Sequence, residues 1–150
     1  MAGPDISNMS PRERADRLYN RVMSAAERGD SGQVHFFVPM ALESYALIGR
    51  LDPDAHYHVG MIDLVNRDYA AALAQADSIS QASPRHLFAS LIRIQVATAR
   101  GDNTGRDRAY RAFADSYQTE MAAKRPEYEE HSAVLQRARD DARRALASKG

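Results

Sequence analysis

Four polar side chains near the middle of the chain have the residue types of a metal site. Asp52, Asp54, His56 and His58 lie within seven positions of one another, and carboxylate and imidazole groups are common ligands of divalent metals. The residues after Asp52-Pro53 have helical periodicity, however, and side chains two positions apart on a helix point in different directions. We therefore interpret the two histidines as solvated residues at the start of a helix and predict no metal site.

No other pattern in the sequence predicts catalysis. The chain has no cysteine, which excludes disulfides, thiolate metal sites and a cysteine nucleophile. It also lacks the G-x-S-x-G, phosphate-loop and H-E-x-x-H motifs. His35, His86 and His131 are isolated in sequence, and we interpret them as structural or surface residues. A triad of distant residues would leave no local pattern, but the expectation is a protein that is not an enzyme and has no cofactor.

The composition is that of an ordinary soluble domain. Of 150 residues, 44% are hydrophobic, and 20 basic side chains balance 20 acidic ones. A net charge of zero argues against a nucleic-acid partner. No segment approaches the roughly 20 apolar residues of a membrane span, and the first residues lack an apolar leader. We expect a cytoplasmic chain, without excluding an anchored or exported context, and a flexible lead over residues 1–9.

Capping and breaking residues divide the remaining chain into helices. Ser10-Pro11 with Glu13 matches a capping box with proline at the first helical position, and Gly29 and Gly49 end helical patterns. Together with the apolar spacing, these signals predict an all-α domain over residues 10–150. They place antiparallel hairpins at about 11–49, 53–82 and 84–122 and a capping helix at about 126–147.

Three details of these helices depend on single residues. Pro39 removes a backbone donor, so we expect either a kink near His35 or a helix that begins near Val38. Ser83-Pro84 is predicted to open the fifth helix. The turn-rich residues 102–105 are predicted to form a loop before the sixth helix.

Small residues and prolines recur with the period of a helical repeat. Gly60, Ala72 and Pro84 follow one another at intervals of 12, and Arg67-Asp68 and Gly101-Asp102 are 34 positions apart. This central segment resembles a tetratricopeptide repeat, in which a small residue on each helix permits close packing and a proline ends the unit. The resemblance implies a short right-handed α-solenoid of about three hairpins. The sequence departs from the family where Trp, Leu and an aromatic residue are replaced by His56, Val59 and Asp63.

The resemblance also implies where a partner would bind. In this family the first helices of the units line a concave surface that takes a peptide or a partner helix, which would be a soft apolar groove here. The corresponding residues are Tyr19, Met23, Tyr57, Met61, Leu64, Phe88, Leu91 and Gln95. We call this set the predicted groove.

Two interpretations of these residues remain open. The chain is expected to be a non-enzymatic protein–protein interaction module with a protein or peptide partner. Alternatively, the same residues are core or are covered by the C-terminal helix, and the chain is a structural or oligomerising domain. Self-association would then use the C-terminal helix or the region of Phe36 and Phe37.

Overall fold

Helices account for nearly all of the ordered secondary structure. A computed structural model describes residues 8–148, of which 83% are helical and none lies in a strand. Consecutive helices pack as antiparallel pairs. The eight helices of the described residues are α1 Pro11–Glu27, α2 Ser31–Ile48, α3 Pro53–Val65, α4 Tyr69–Ala82, α5 Leu87–Arg100, α6 Asn103–Ala122, α7 Pro126–Glu130 and α8 Ser132–Ala147.

The helix starts follow the capping signals of the sequence. Ser10 Oγ accepts the Glu13 amide at 3.1 Å, and Pro11 is the first residue of α1. Asp52 Oδ1 likewise accepts the Ala55 amide at 2.8 Å before Pro53. These bonds satisfy amides that the helix itself leaves without acceptors. The predicted starts of α1 and α3 are therefore confirmed.

Other boundaries differ from the predictions. The second helix does not begin near Val38 but runs from Ser31 through Pro39, because Asp30 caps it by accepting the Gln33 amide at 3.1 Å. The fifth helix begins at Leu87 rather than at Pro84. The capping helix expected over about 126–147 is interrupted at His131 and forms α7 and α8.

The predicted loop over residues 102–105 is the first turn of α6. Asp102 Oδ1 accepts the Gly105 amide at 2.9 Å and so caps the helix. A Cβ at position 105 would overlap the Asp102 carboxylate. The glycine that suggested a loop therefore allows the cap to approach the helix.

The described residues divide into two compact units, residues 8–72 and residues 73–148. In the first unit α1 packs on α2, and α3 contacts both. Their shared core contains Val22, Val38, Ala41, Tyr45 and Ile62. In the second unit α5 packs on α6, which also contacts α8. Of the predicted flexible lead over residues 1–9, seven residues lie outside the described chain.

No helix of the described residues is both long enough and apolar enough to cross a membrane.

One buried carboxyl of α3 works against the stability of the folded state. Asp63 is only 5% exposed. Burial, and then the negative charge of Asp68, raise the pKa of Asp63 to about 7. Since this lies above the ordinary value of 3.8, the folded state binds the proton more tightly than the unfolded chain. The contribution of Asp63 to stability is then fully present below about pH 3.8 and is lost as the pH rises through about 7.

Replacing Asp63 with Asn should stabilise the protein at high pH. The amide does not ionise, so we expect the Asp63→Asn variant to be more stable than the wild type at pH 8 by on the order of 1 kcal/mol, with a smaller difference at pH 4. Urea unfolding at both pH values measures this, with the exposed Asp115→Asn as the control. A difference that is the same at pH 4 and pH 8 contradicts the prediction.

Candidate functional site

One arginine joins three carboxylates in the first unit. Arg12 on α1 contacts Asp16 on the same helix at 3.0 Å, Asp52 at 2.8 Å and Asp54 at 2.7 Å. Partial burial lowers the pKa of Arg12, but the hydrogen bonds to Asp52 and Asp16 outweigh this and the net shift is upward. The guanidinium stays charged and ties the start of α3 to the first turns of α1.

His58 lies beside this arginine, buried rather than solvated as predicted. It is 6% exposed, and its Nδ1 lies 2.9 Å from the Tyr45 hydroxyl and 3.2 Å from Asp16 Oδ1. Because Tyr45 donates its own proton to Asp16 Oδ1 at 2.6 Å, its oxygen accepts from His58. On the other side of the ring, Nε2 faces Asp54 Oδ1 at 3.4 Å.

These contacts give Asp52, Asp54 and His58 polar partners within the first unit. Asp52 and Asp54 direct oxygens at Arg12, so both carboxylates already accept a hydrogen bond from a cation. Tyr19 stacks on His58 with 3.9 Å between ring centroids. Burial, and then the hydrogen bond to Asp16, raise the pKa of Tyr45, so its hydroxyl keeps its proton at neutral pH. The cluster joins α1, α2 and α3, with His58 buried, Asp16 partly exposed and Asp52 exposed.

Removing the central cation should cost substantial stability. The Arg12→Met variant keeps much of the apolar stem and leaves three carboxylates without their shared donor. We expect a loss of about 2 kcal/mol in the free energy of unfolding, the range of hydrogen bonds to charged groups. Urea unfolding measures it. Arg14→Met, on the same helix, is the control and should change stability by less than about 0.5 kcal/mol; equal losses in the two variants would contradict the assignment.

A second polar cluster holds α7 against the start of α5 in the second unit. Tyr128 donates to Glu120 Oε1 at 2.7 Å and accepts the Leu87 amide at 2.9 Å. Arg125 also donates to Glu120, at 3.2 Å. The short helix α7 therefore supplies a hydroxyl that satisfies an amide at the start of α5, which would otherwise be buried without a partner.

The tautomer of His86 follows from its neighbours. His86 is 1% exposed and caps α5, where its Nδ1 accepts the Phe88 amide at 3.2 Å. The ring proton is therefore on Nε2, which donates to Glu127 at 2.9 Å. Burial lowers the pKa of His86 more than Glu127 raises it, with Arg125 lowering it further and Glu120 opposing. Of the two roles that the sequence left open for His86, structural or surface, the buried cap is the structural one.

The lowered pKa of His86 makes the protein sensitive to mild acid. The unfolded chain binds a proton near pH 6.5 that the folded state resists. The contribution of His86 to stability is therefore fully present above about pH 6.5 and falls by up to about 1.4 kcal/mol per pH unit below it. We expect His86→Asn, which keeps a cap for the Phe88 amide but cannot titrate, to lose less stability than the wild type between pH 7 and pH 5.5.

Urea unfolding at several pH values in this range measures the difference in slope. Since carboxyl groups titrate in both proteins, only the change between the two curves reports His86. His35→Asn, at an exposed position, should keep the wild-type slope. Parallel curves for the wild type and His86→Asn would contradict the assignment.

The eight residues of the predicted groove differ widely in exposure. Tyr57, Phe88 and Leu91 are at most 3% exposed. The half-buried members are Tyr19, Met23, Met61 and Leu64, and Gln95 is exposed. Tyr19 and Met23 pack against the core of the first unit. In the second unit Phe88 contacts the rings of His86, Tyr128 and His131.

The largest exposed apolar side chains lie elsewhere, on the outer face of α2. Phe36, Met40 and Leu47 are 65%, 43% and 78% exposed. Their spacing of four and seven positions places them on one face of the helix. We call these three residues the α2 stripe. The sequence points to Phe36 as part of a possible self-association region, but it does not point to Met40 and Leu47, because they lie within a segment that is apolar on several faces.

The fold defines the class of protein at a coarse level. The described residues form an all-helical domain whose helices pack in consecutive pairs. No protein-family model matches the sequence, and no match was found among curated proteins or solved structures.

Proposed function

We propose that this chain is a non-enzymatic protein–protein interaction module that binds a peptide or a partner helix. We also propose that its hairpins stack as a short right-handed solenoid of the tetratricopeptide type. The antiparallel pairing of consecutive helices supports this proposal. So does the 34-residue spacing of Arg67-Asp68 and Gly101-Asp102. Each hairpin buries one face and leaves another for a neighbour or a partner.

The observation that carries the proposal is the exposure of the α2 stripe. Three of the four large apolar side chains that are exposed in the described chain lie on this face, and Val134 on α8 is the fourth. Single exposed apolar residues are common on any protein, whereas several on one helix face are typical of an interaction surface. The side chains of His58 and His86, by contrast, are buried and hydrogen-bonded within their own units.

The predicted groove is a second place where the partner could bind. Its half-buried members in the first unit are Tyr19, Met23, Met61 and Leu64. They retain enough surface to contact a ligand, whereas the buried Tyr57, Phe88 and Leu91 do not. The proposal therefore assigns the concave-face contact to the two methionines, whose side chains adapt to variable partners.

The alternative function is oligomerisation through the same stripe. Phe36 belongs to the region that the sequence analysis offers as a possible self-association surface. An exposed apolar face can also bind a second copy of the chain. Light scattering at two protein concentrations separates the alternatives. A constant monomer mass is expected, and a mass that rises with concentration would favour the oligomeric alternative.

The binding experiment compares variants on three surfaces. Phe36→Ser with Leu47→Ser removes the exposed apolar side chains of α2, and Val134→Ser is the matched control on α8. We expect pull-down of partner proteins to fall at least tenfold in the double variant, because apolar burial drives such contacts, and to persist in the control. Circular dichroism should remain helical in all of them.

A second pair of substitutions tests the predicted groove. If Met23→Glu with Met61→Glu loses partner binding and Phe36→Ser with Leu47→Ser retains it, the binding site lies in the predicted groove. No specific partner for the wild type, or equal capture by every variant, would overturn the proposed function.

A further inference from the structure

The α2 stripe continues into a groove between α1 and α2 that is lined by positively charged side chains. The groove encloses about 450 Å³ in the first unit, and Leu18, Phe37 and Met40 contribute its apolar lining. Arg14, Arg17 and Arg21 line the α1 side. Positions spaced by three and four residues share one helix face, so the three arginines form a row along the length of the groove.

These arginines carry charge that the described part of the chain does not balance. Within residues 8–148 none of the three makes an ion pair. Arg21 lies over the Phe37 ring at 5.6 Å, and Arg17 approaches Met9 Sδ at 3.9 Å. No acidic side chain lines the groove. Unpaired cations beside an apolar surface select a ligand that has both apolar and anionic groups.

The dimensions of the apolar face fit a helix. Phe36 and Leu47 are eleven residues apart, which corresponds to about 16 Å along α2 at about 1.5 Å per residue. A partner helix of about three turns covers that distance, and its apolar residues at i, i+3 or i+4 and i+7 would contact the stripe and the groove. A fully extended peptide would need only about five residues for the same distance and would present half of them away from the surface.

We infer that this surface binds an amphipathic helix whose apolar residues are flanked on one side by Asp or Glu. The inference rests on the proposed function and names the partner class. A second copy of this chain fits less well, because the α2 helix that would face the arginines carries a single carboxylate, Glu43. Residues that flank the partner's apolar face would pair with Arg14, Arg17 and Arg21, while its apolar side chains cover Phe36, Met40 and Leu47.

The test uses three synthetic 18-residue amphipathic peptides that share leucines at the contact positions. Their flanking residues are Glu, Gln or Lys. Fluorescence anisotropy with the full chain should show the Glu peptide binding at least tenfold more tightly than the Gln peptide, and the Lys peptide more weakly still. The preference should decrease between 0.05 M and 0.5 M salt, because exposed charges are screened.

The matched variants change the same amount of charge at different places. Arg14→Gln, Arg17→Gln and Arg21→Gln together should weaken the Glu peptide at least tenfold and leave the Gln peptide within twofold. The control combines Arg85→Gln, Arg137→Gln and Arg143→Gln, three exposed arginines elsewhere, and should keep both affinities within twofold. Circular dichroism and urea unfolding exclude misfolding, and the single Arg14→Gln replaces the triple variant if it does not fold.

Several results would overturn the inference. Equal affinity for the Glu and Gln peptides, or no peptide binding while the stripe variant still loses its partner, removes the acidic helix and leaves the proposed function intact. Concentration-dependent dimers that disappear in the arginine variant assign the groove to a second copy. Arginine-dependent binding to vesicles of anionic phospholipid without peptide binding assigns it to a membrane. Removal of residues 1–7 that tightens the Glu peptide tenfold assigns it to the chain's own first residues.

Discussion

A pair of packed helices can cover only one side of each helix, and this constraint determines most of the structure. Side chains that remain on the other sides must be covered by a further helix or remain available to a partner. In the first unit α3 covers part of the α1–α2 pair, and in the second unit α8 packs against α6. The outer face of α2 is left with Phe36 and Leu47 exposed.

Polar side chains link helices in both units through hydrogen bonds. Arg12 holds carboxylates from α1 and from the start of α3, and Tyr45 brings α2 to the same point. Tyr128 does the equivalent for α7 and α5. Because an unpaired polar group is costly inside a protein, each cluster permits essentially one arrangement of its helices. The buried histidines and carboxylates therefore help to fix the positions of the helices that they join.

Sequence reasoning located helices better than it located their ends or their surroundings. Ser10 and Asp52 predict helix starts correctly, because a capping side chain bonds to an amide only three positions away. The predicted loop at Gly105 is wrong, because glycine is suited both to a loop and to a helix start that Asp102 approaches closely. The prediction that His58 is solvated is wrong, because its partners Asp16 and Tyr45 are 42 and 13 residues distant in sequence. No local pattern reports such a contact.

The sequence by itself determined that the chain is all-helical, where most helices lie and that catalytic motifs are lacking, since these depend on local periodicity and capping. Tertiary structure alone decided which side of each helix faces a neighbour. That choice buried Tyr57 and Phe88 of the predicted groove and left Phe36, Met40 and Leu47 exposed, with Met40 lining a groove that a row of arginines also lines. The physical reason is that an apolar residue has the same periodicity whether its neighbour is another helix or water.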